Sequence, residues 1–166
     1  MAPIVRKLSV FILLSGLLLA GCQTPPPPPA PAGLTAAQVE ALRNQGFVET
    51  DDGWMFGLAD KLLFPTDESR LDGEQKQVIE RITRALLAVN ITGVRVEGHA
   101  DNSGRELHND ALSLARAQMV GDVMIGAGMP AQGVHMEGMG TRNPVASNAT
   151  PEGRRENRRV AIIVSN

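Results

Sequence analysis

The chain has 166 residues and a formal net charge of −2, with 18 acidic against 16 basic side chains. That mildly acidic balance argues against a phosphate-rich partner, so no nucleic acid is expected. Cys22 is the single cysteine, which excludes a disulfide within one chain, a cysteine-ligated metal and a thiol-based active site.

The N-terminal stretch starts with Arg6 and Lys7 and runs into an apolar segment that suits a signal-peptide core but falls short of a membrane span. It closes on Leu19-Ala20-Gly21-Cys22, which is similar to the lipobox of bacterial lipoproteins. The expectation is a signal peptide over residues 1–21 and a lipid-modified Cys22, with several acyl chains making the attachment stable. In enterobacterial lipoproteins an Asp after the cysteine favours inner-membrane retention, so Gln23 points to the outer membrane. Removal of Arg6 and Lys7 with the signal peptide takes the net charge from −2 to −4. What remains is enough for one domain with a proper core. No cofactor is expected beyond the covalent lipid.

Residues 22–33 read as a tether, because Pro25 to Pro29 with Pro31 favour a stiff polyproline II spacer. Residues 34–58 form a second segment. Thr35 with Gln38 makes a capping box, Leu34 and Val39 a hydrophobic staple and Gly46 a stop, which predicts a short helix with Val39 and Leu42 on one side. "FVETDDGWMFG" then reads as two strands around Asp51-Asp52-Gly53. The aromatic residues after Cys22 are Phe47, Trp54, Phe56 and Phe64, and none lies beyond residue 64. Two readings stand: a separate small core, or a surface whose Trp and Phe anchor a partner.

Residues 59–166 alternate between strands and helices. Lys61 to Phe64 is a strand, and Asp72 with Gln75 caps a helix whose stripe is Val78, Ile82 and Leu86, ending near Asn90. Val94 to Gly98 is a strand with Val94 and Val96 inward and Arg95 and Glu97 outward. A long helix runs from Leu107 to Ile125 and stops at Gly126. Val134 to Glu137 and Arg159 to Val164 are strands, the last apolar on both faces as a central strand should be. The fold class is therefore an α/β (α+β) sandwich, β-α-β-α-β-β, with two main helices on one mixed sheet.

The loop "HADNSG" after the Val94 strand is the candidate site, since such loops hold ligands in α/β folds. His99, Asp101 and His108 match a metal site only weakly. There is no Gly-x-Ser-x-Gly, and "GMGTRNP" at 138–144 imitates a dinucleotide loop but meets Pro144 where a helix must open. Grip fits better. Asn109 and Arg116 lie two turns apart on one helix face, and Arg116 borders the apolar stripe of Leu112, Ala115 and Met119. A partly buried arginine needs an acid, and Asp101 is the expected partner. Gly104 allows the loop a positive φ. A carboxylate beside a guanidinium suits a zwitterionic ligand, Asp101 taking an ammonium and Arg116 a carboxylate. An internal Asp–Arg pair that only ties loop to helix is the competing reading.

"VEGHADNSGRELHNDALSLARAQMV", "GMGTRNPVASN" and "GRRENRRVAIIV" resemble the peptidoglycan-binding domain of the OmpA and Pal family, over about residues 60–165. The resemblance implies that Asp101 and Arg116 hold the free end of meso-diaminopimelate in the wall's stem peptide. It implies that Gly104 and Asn109 shape the site and that Asp67 adds a polar contact, although "FPTDES" departs locally from the pattern. It also implies a non-enzymatic protein in which His99 is no catalyst. Upstream, "GCQTPP", "GLTAAQVEALRNQGF" and "DDGWMFGLADKLLF" resemble the YfiB family of outer-membrane lipoproteins. That likeness implies capture of a periplasmic YfiR-type repressor of an inner-membrane diguanylate cyclase, and so a part in c-di-GMP signalling and biofilm. Leu42, Phe47, Trp54 and Phe56 would form the partner surface. The alternative is a purely structural anchor of outer membrane to cell wall, for which the aromatic segment is dispensable.

Overall fold

The computed structural model describes residues 33–57 and 63–166. The expected signal peptide, the Cys22 lipidation site and the proline run lie outside the described residues. Helix α1 (Ala36–Gln45) is opened by the expected capping box: Gln38 N–H donates to Thr35 Oγ1, and Thr35 N–H to Gln38 Oε1. Gly46 closes it in the left-handed conformation. The hairpin follows as β1 (Val48–Thr50) and β2 (Gly53–Phe56), turned at Asp51-Asp52. Helix α2 (Gly73–Ala88) carries the second capping box, Asp72 with Gln75, and buries Ile79, Ile82, Thr83 and Leu86, with Val78 at the edge of that face. Strand β3 (Val94–Gly98), helix α3 (Glu106–Gly126) and strand β4 (Val134–Gly138) make a parallel crossover unit. Helix α4 (Pro151–Asn157) and strand β5 (Val160–Val164) complete the described chain.

One mixed sheet has the order β1-β2-β5-β3-β4. β5 is antiparallel to both β2 and β3, with Ile162 opposite Phe56 on one side and Val96 on the other. All five of its residues are buried, in agreement with its apolar pattern. Val160, Ile162 and Val164 join the core cluster with Val94 and Val96, against Ile79, Ile82 and Leu86 of α2 and Ala117, Val120 and Met124 of α3.

Four expectations change. The aromatic segment is neither a separate core nor an exposed anchor surface: Leu42, Phe47, Trp54 and Phe56 are at most 4% exposed and belong to the same cluster as Phe64, Ile82 and Ile162. The cause is the pairing of β2 with β5, which extends the main sheet and its apolar face into the hairpin. The expected division between residues 58 and 59 is therefore no boundary between cores. Only part of the Lys61–Phe64 strand is described, and there Leu63 forms an isolated bridge with Arg159. Glu97 is not in water: it pairs with Arg95, its Oε2 lies 3.5 Å from His99 Nε2, and it is buried. His99 holds the Glu97 carboxyl below its usual range, against burial and with help from Arg95. Finally, α4 is an additional helix, started by the Thr150 hydroxyl accepting from Gly153 N–H with Pro151 in the first turn.

A close approach sets the site. A Cβ on Gly98 would lie 1.8 Å from the Ser113 carbonyl oxygen, so only glycine lets α3 lie this tightly on the end of β3. That contact brings the first turns of α3 beside the loop leaving β3.

Because the hairpin shares the core, Phe56→Ala should cost about 3–5 kcal/mol, as for deeply buried aromatics. Trp54 is the sole tryptophan and reports on the hairpin, whereas circular dichroism reports mostly on the helices. In urea the two signals should give one coincident transition in the wild type, and an earlier fluorescence transition would separate the segment from the domain.

Candidate functional site

The loop after β3 is tied at every turn. Asn109, near the start of α3, donates from Nδ2 to the carbonyls of Asp101 (3.2 Å) and Ser103 (2.9 Å). Gly104 sits at φ +81°, the left-handed conformation expected of it. Asp101 is buried; its Oδ1 accepts from Ser103 N–H (2.7 Å) and its Oδ2 from Arg158 Nη1 (2.8 Å). Arg158 also donates from Nε to the Phe64 carbonyl (3.1 Å).

Arg116 has no exposed surface. Its Nε donates to the Glu68 carbonyl (2.8 Å), Nη1 to the His99 carbonyl (2.9 Å) and Nη2 to the Pro65 carbonyl (3.0 Å). The guanidinium carbon lies 5.2 Å from the centre of the Phe64 ring. The expected Asp101–Arg116 pair is therefore not made. Backbone carbonyls take three of the five N–H groups of Arg116, and Arg158 takes the Asp101 carboxylate. Asp67, at φ +60°, reaches across from the loop before α2, and its Oδ1 is 2.6 Å from His108 Nε2 on α3.

These groups surround an open hollow of about 270 Å³. All five residues named from the sequence, Asp67, Asp101, Gly104, Asn109 and Arg116, line it. His99 pairs with Glu97 outside the hollow, and His108 lines the hollow beside its partner Asp67.

Residues 63–158 match the family model described as "OmpA family". The chain belongs to the OmpA family. The outer-membrane lipoprotein YfiB of Pseudomonas aeruginosa is 49% identical over 95% of this chain and 90% of its own length. The putative lipoprotein YfiB of Escherichia coli is 35% identical over 97% of this chain and 98% of its own. Among solved structures, the cell wall anchor of the T6SS from Pseudomonas aeruginosa superposes with a TM-score of 0.61 at 31% identity, covering 78% of this chain and 95% of that one. Like its Pseudomonas relative, this OmpA-family chain is an outer-membrane lipoprotein, and the family is non-enzymatic. The family match starts at residue 63, so α1, β1 and β2 lie outside the matched residues.

Within the OmpA-family site, the residue that sequence reasoning missed is Arg158. Its signal was the Asn157-Arg158-Arg159 run before the apolar strand. Asn157, almost fully buried, accepts at Oδ1 from the N–H groups of Val145 (2.8 Å) and Ala146 (3.1 Å), and donates from Nδ2 to the Ala146 carbonyl (2.8 Å). This clip fixes the end of α4 and so the base of Arg158.

Charge in the OmpA-family pocket follows from these contacts. Burial pushes Arg116 down to about 10, aided by repulsion from Arg158 and opposed by Asp101 and Asp67, so it stays cationic at neutral pH. Burial acts to raise the Asp101 carboxyl, but the hydrogen bonds from Arg158 and Ser103 outweigh it and hold the group below its usual range. A carboxyl depressed in the folded state stabilises the fold above its unfolded pKa of about 3.9, and that contribution is lost as pH falls through the depressed value.

In Arg158→Ala the opposing burial and the Ser103 hydrogen bonds remain while the guanidinium is gone, so the Asp101 carboxyl should move up from its depressed value. A ¹³C-detected carboxyl titration measures this directly, and an unmoved Asp101 would contradict the pairing. Arg116→Ala strands three carbonyls at about 1–3 kcal/mol each where water cannot replace it, so it should lower stability far more than Arg158→Ala in urea melts.

Proposed function

We propose that this pocket grips peptidoglycan non-covalently, through the free end of meso-diaminopimelate in the stem peptide. One observation carries the reading: a single hollow in an OmpA-family domain combines the carboxylates of Asp101 and Asp67 with the guanidiniums of Arg116 and Arg158. The free end of diaminopimelate bears an ammonium and a carboxylate on one carbon and so needs both signs within one side chain's width. The ammonium meets Asp101 and Asp67. The carboxylate meets the cationic side, where among the described residues two N–H groups of Arg116 are not taken by carbonyls. Gly104 and Asn109 act by holding the loop in shape. The likeness to a cell wall anchor supports the same reading.

A second layer of the proposal follows from the YfiB relatives. The chain sequesters a periplasmic YfiR-type repressor and thereby releases an inner-membrane diguanylate cyclase, with Leu42, Phe47, Trp54 and Phe56 as contact residues. The identity over nearly the whole chain, including α1 and the hairpin outside the family match, supports this over a purely structural anchor. Burial of all four residues adds a condition: capture through them requires α1 and the hairpin to part from the core.

Lysine-type wall lacks the terminal carboxylate and leaves the cationic side unmatched. Calorimetric titration should therefore give clearly tighter binding of diaminopimelate-type than of lysine-type muropeptide. Asp101→Asn, which keeps the size but not the charge, should erase most of the binding to both. Equal curves for the two peptides would show that the pocket reads something else.

A further inference from the structure

Arg158 borders three hollows, not one. Besides the pocket above, it lines a second of about 440 Å³ between the loop after Leu63 and the end of α4, and a third along α4 itself. The second hollow has Phe64 and Leu71 in its wall, both buried, and at its rim Arg70 and Arg155, both exposed. Among the described residues neither of these two guanidiniums has a hydrogen bond or ion pair from its side chain. Two acids share the wall. Asp72 is engaged as the cap of α2, accepting from Gln75 N–H at 2.7 Å, which leaves Glu68 as the one uncommitted carboxylate. Arg158 itself is committed to Asp101. Within this hollow the balance is two free guanidiniums against one free acid, beside an apolar wall, in a groove that shares a side chain with the main pocket; Glu152 and Glu156 line the third hollow with Arg155.

We propose that this groove is an anionic subsite, in which Arg70 and Arg155 receive a second carboxylate of the peptide whose diaminopimelate occupies the main pocket. The inference rests on the peptidoglycan reading and extends it from one residue to the strand around it. A stem peptide of that type has a carboxylate on each side of diaminopimelate. The γ-linked D-glutamate before it bears a free α-carboxylate as a branch, and the chain after it ends in one. Each lies within one or two residues, about 3.5 Å of reach per residue, which matches a hollow that begins on the far side of the Arg158 side chain. A guanidinium pair suits a planar carboxylate and has no use for its neutral amide. The subsite would thus make the protein sensitive to amidation of the wall peptide.

The test is calorimetric titration of the full lipoprotein in detergent, wild type and the Arg70→Gln/Arg155→Gln double variant. The ligands are L-Ala-γ-D-Glu-diaminopimelate-D-Ala, the same peptide amidated at D-glutamate, the same peptide amidated at its C-terminus, and the lysine-type peptide. Wild type should lose about three- to tenfold in affinity on one of the two amidations, as for loss of a charge-assisted contact at a partly exposed site, and that peptide identifies the carboxylate. The double variant should bind the unamidated peptide weaker by the same factor, respond to neither amidation, melt with the wild type, and still prefer diaminopimelate to lysine. A double variant that binds like wild type, or that keeps the wild type's response to amidation, overturns the subsite while leaving the main pocket standing. A wild type that binds no peptide overturns both.

Discussion

A guanidinium withdrawn from water must find its partners inside the protein, and Arg116 finds them in two loops distant in sequence. The carbonyls of Pro65 and Glu68 come from the loop ahead of α2, and that of His99 from the end of β3. Among the described residues no carboxylate touches it. The charge is carried instead by carbonyl dipoles, by the face of Phe64 and by the longer-range fields of Asp101 and Asp67. Burying a cation this way is costly, and the cost is offset only while all three carbonyls stay in place. The two walls of the pocket are thereby locked to α3 in one geometry before any ligand arrives, which reduces the ordering that binding would otherwise require.

The remaining contacts divide the work of holding the two poles apart. Arg158 keeps Asp101 ionised in a buried position, and Asn157 keeps Arg158 in place by clipping the loop around Ala146. Gly98 lets α3 press against β3, so that Asn109 can close the loop from beneath while Arg116 closes it from behind. Asp101 and Arg116 are neighbours that do not pair with one another; Arg158 takes the Asp101 carboxylate instead.

Much of this was legible in the chain because it is local. Both capping boxes are three-residue patterns, and Thr35–Gln38 and Asp72–Gln75 form as written. The position of β5 followed from an apolar run with no polar face. The set of pocket residues followed from helix spacing and from the family motifs. What failed was non-local. Arg116 and Arg158 carry the same charge, and spacing along a helix cannot say which one meets Asp101; that depends on where β5 enters the sheet. Phe47, Trp54 and Phe56 read either as a separate small core or as surface anchors, because nothing near them in sequence ties them to the main core. Their cover comes from β5, about a hundred residues later, and from α2. Helix α4 was hidden by its charges, since a seven-residue helix with only Gly153 and Asn157 buried has no apolar stripe to read.

The place of β5 has a kinetic consequence. It follows every other described element in chain order, yet it lies in the middle of the sheet, bonded to β2 on one side and β3 on the other. Until it emerges, β2 and β3 have no partner between them, the hairpin has no further strand to pair with, and Arg158 has only just been made. The two main helices can form early, but the sheet waits for its centre, and contacts of such long sequence separation close slowly. A polypeptide that must cross the inner membrane as an extended thread gains from that delay. The late arrival of the central strand keeps the chain threadable while the elements before it are made, and the sheet closes only after residues 160–164 have followed.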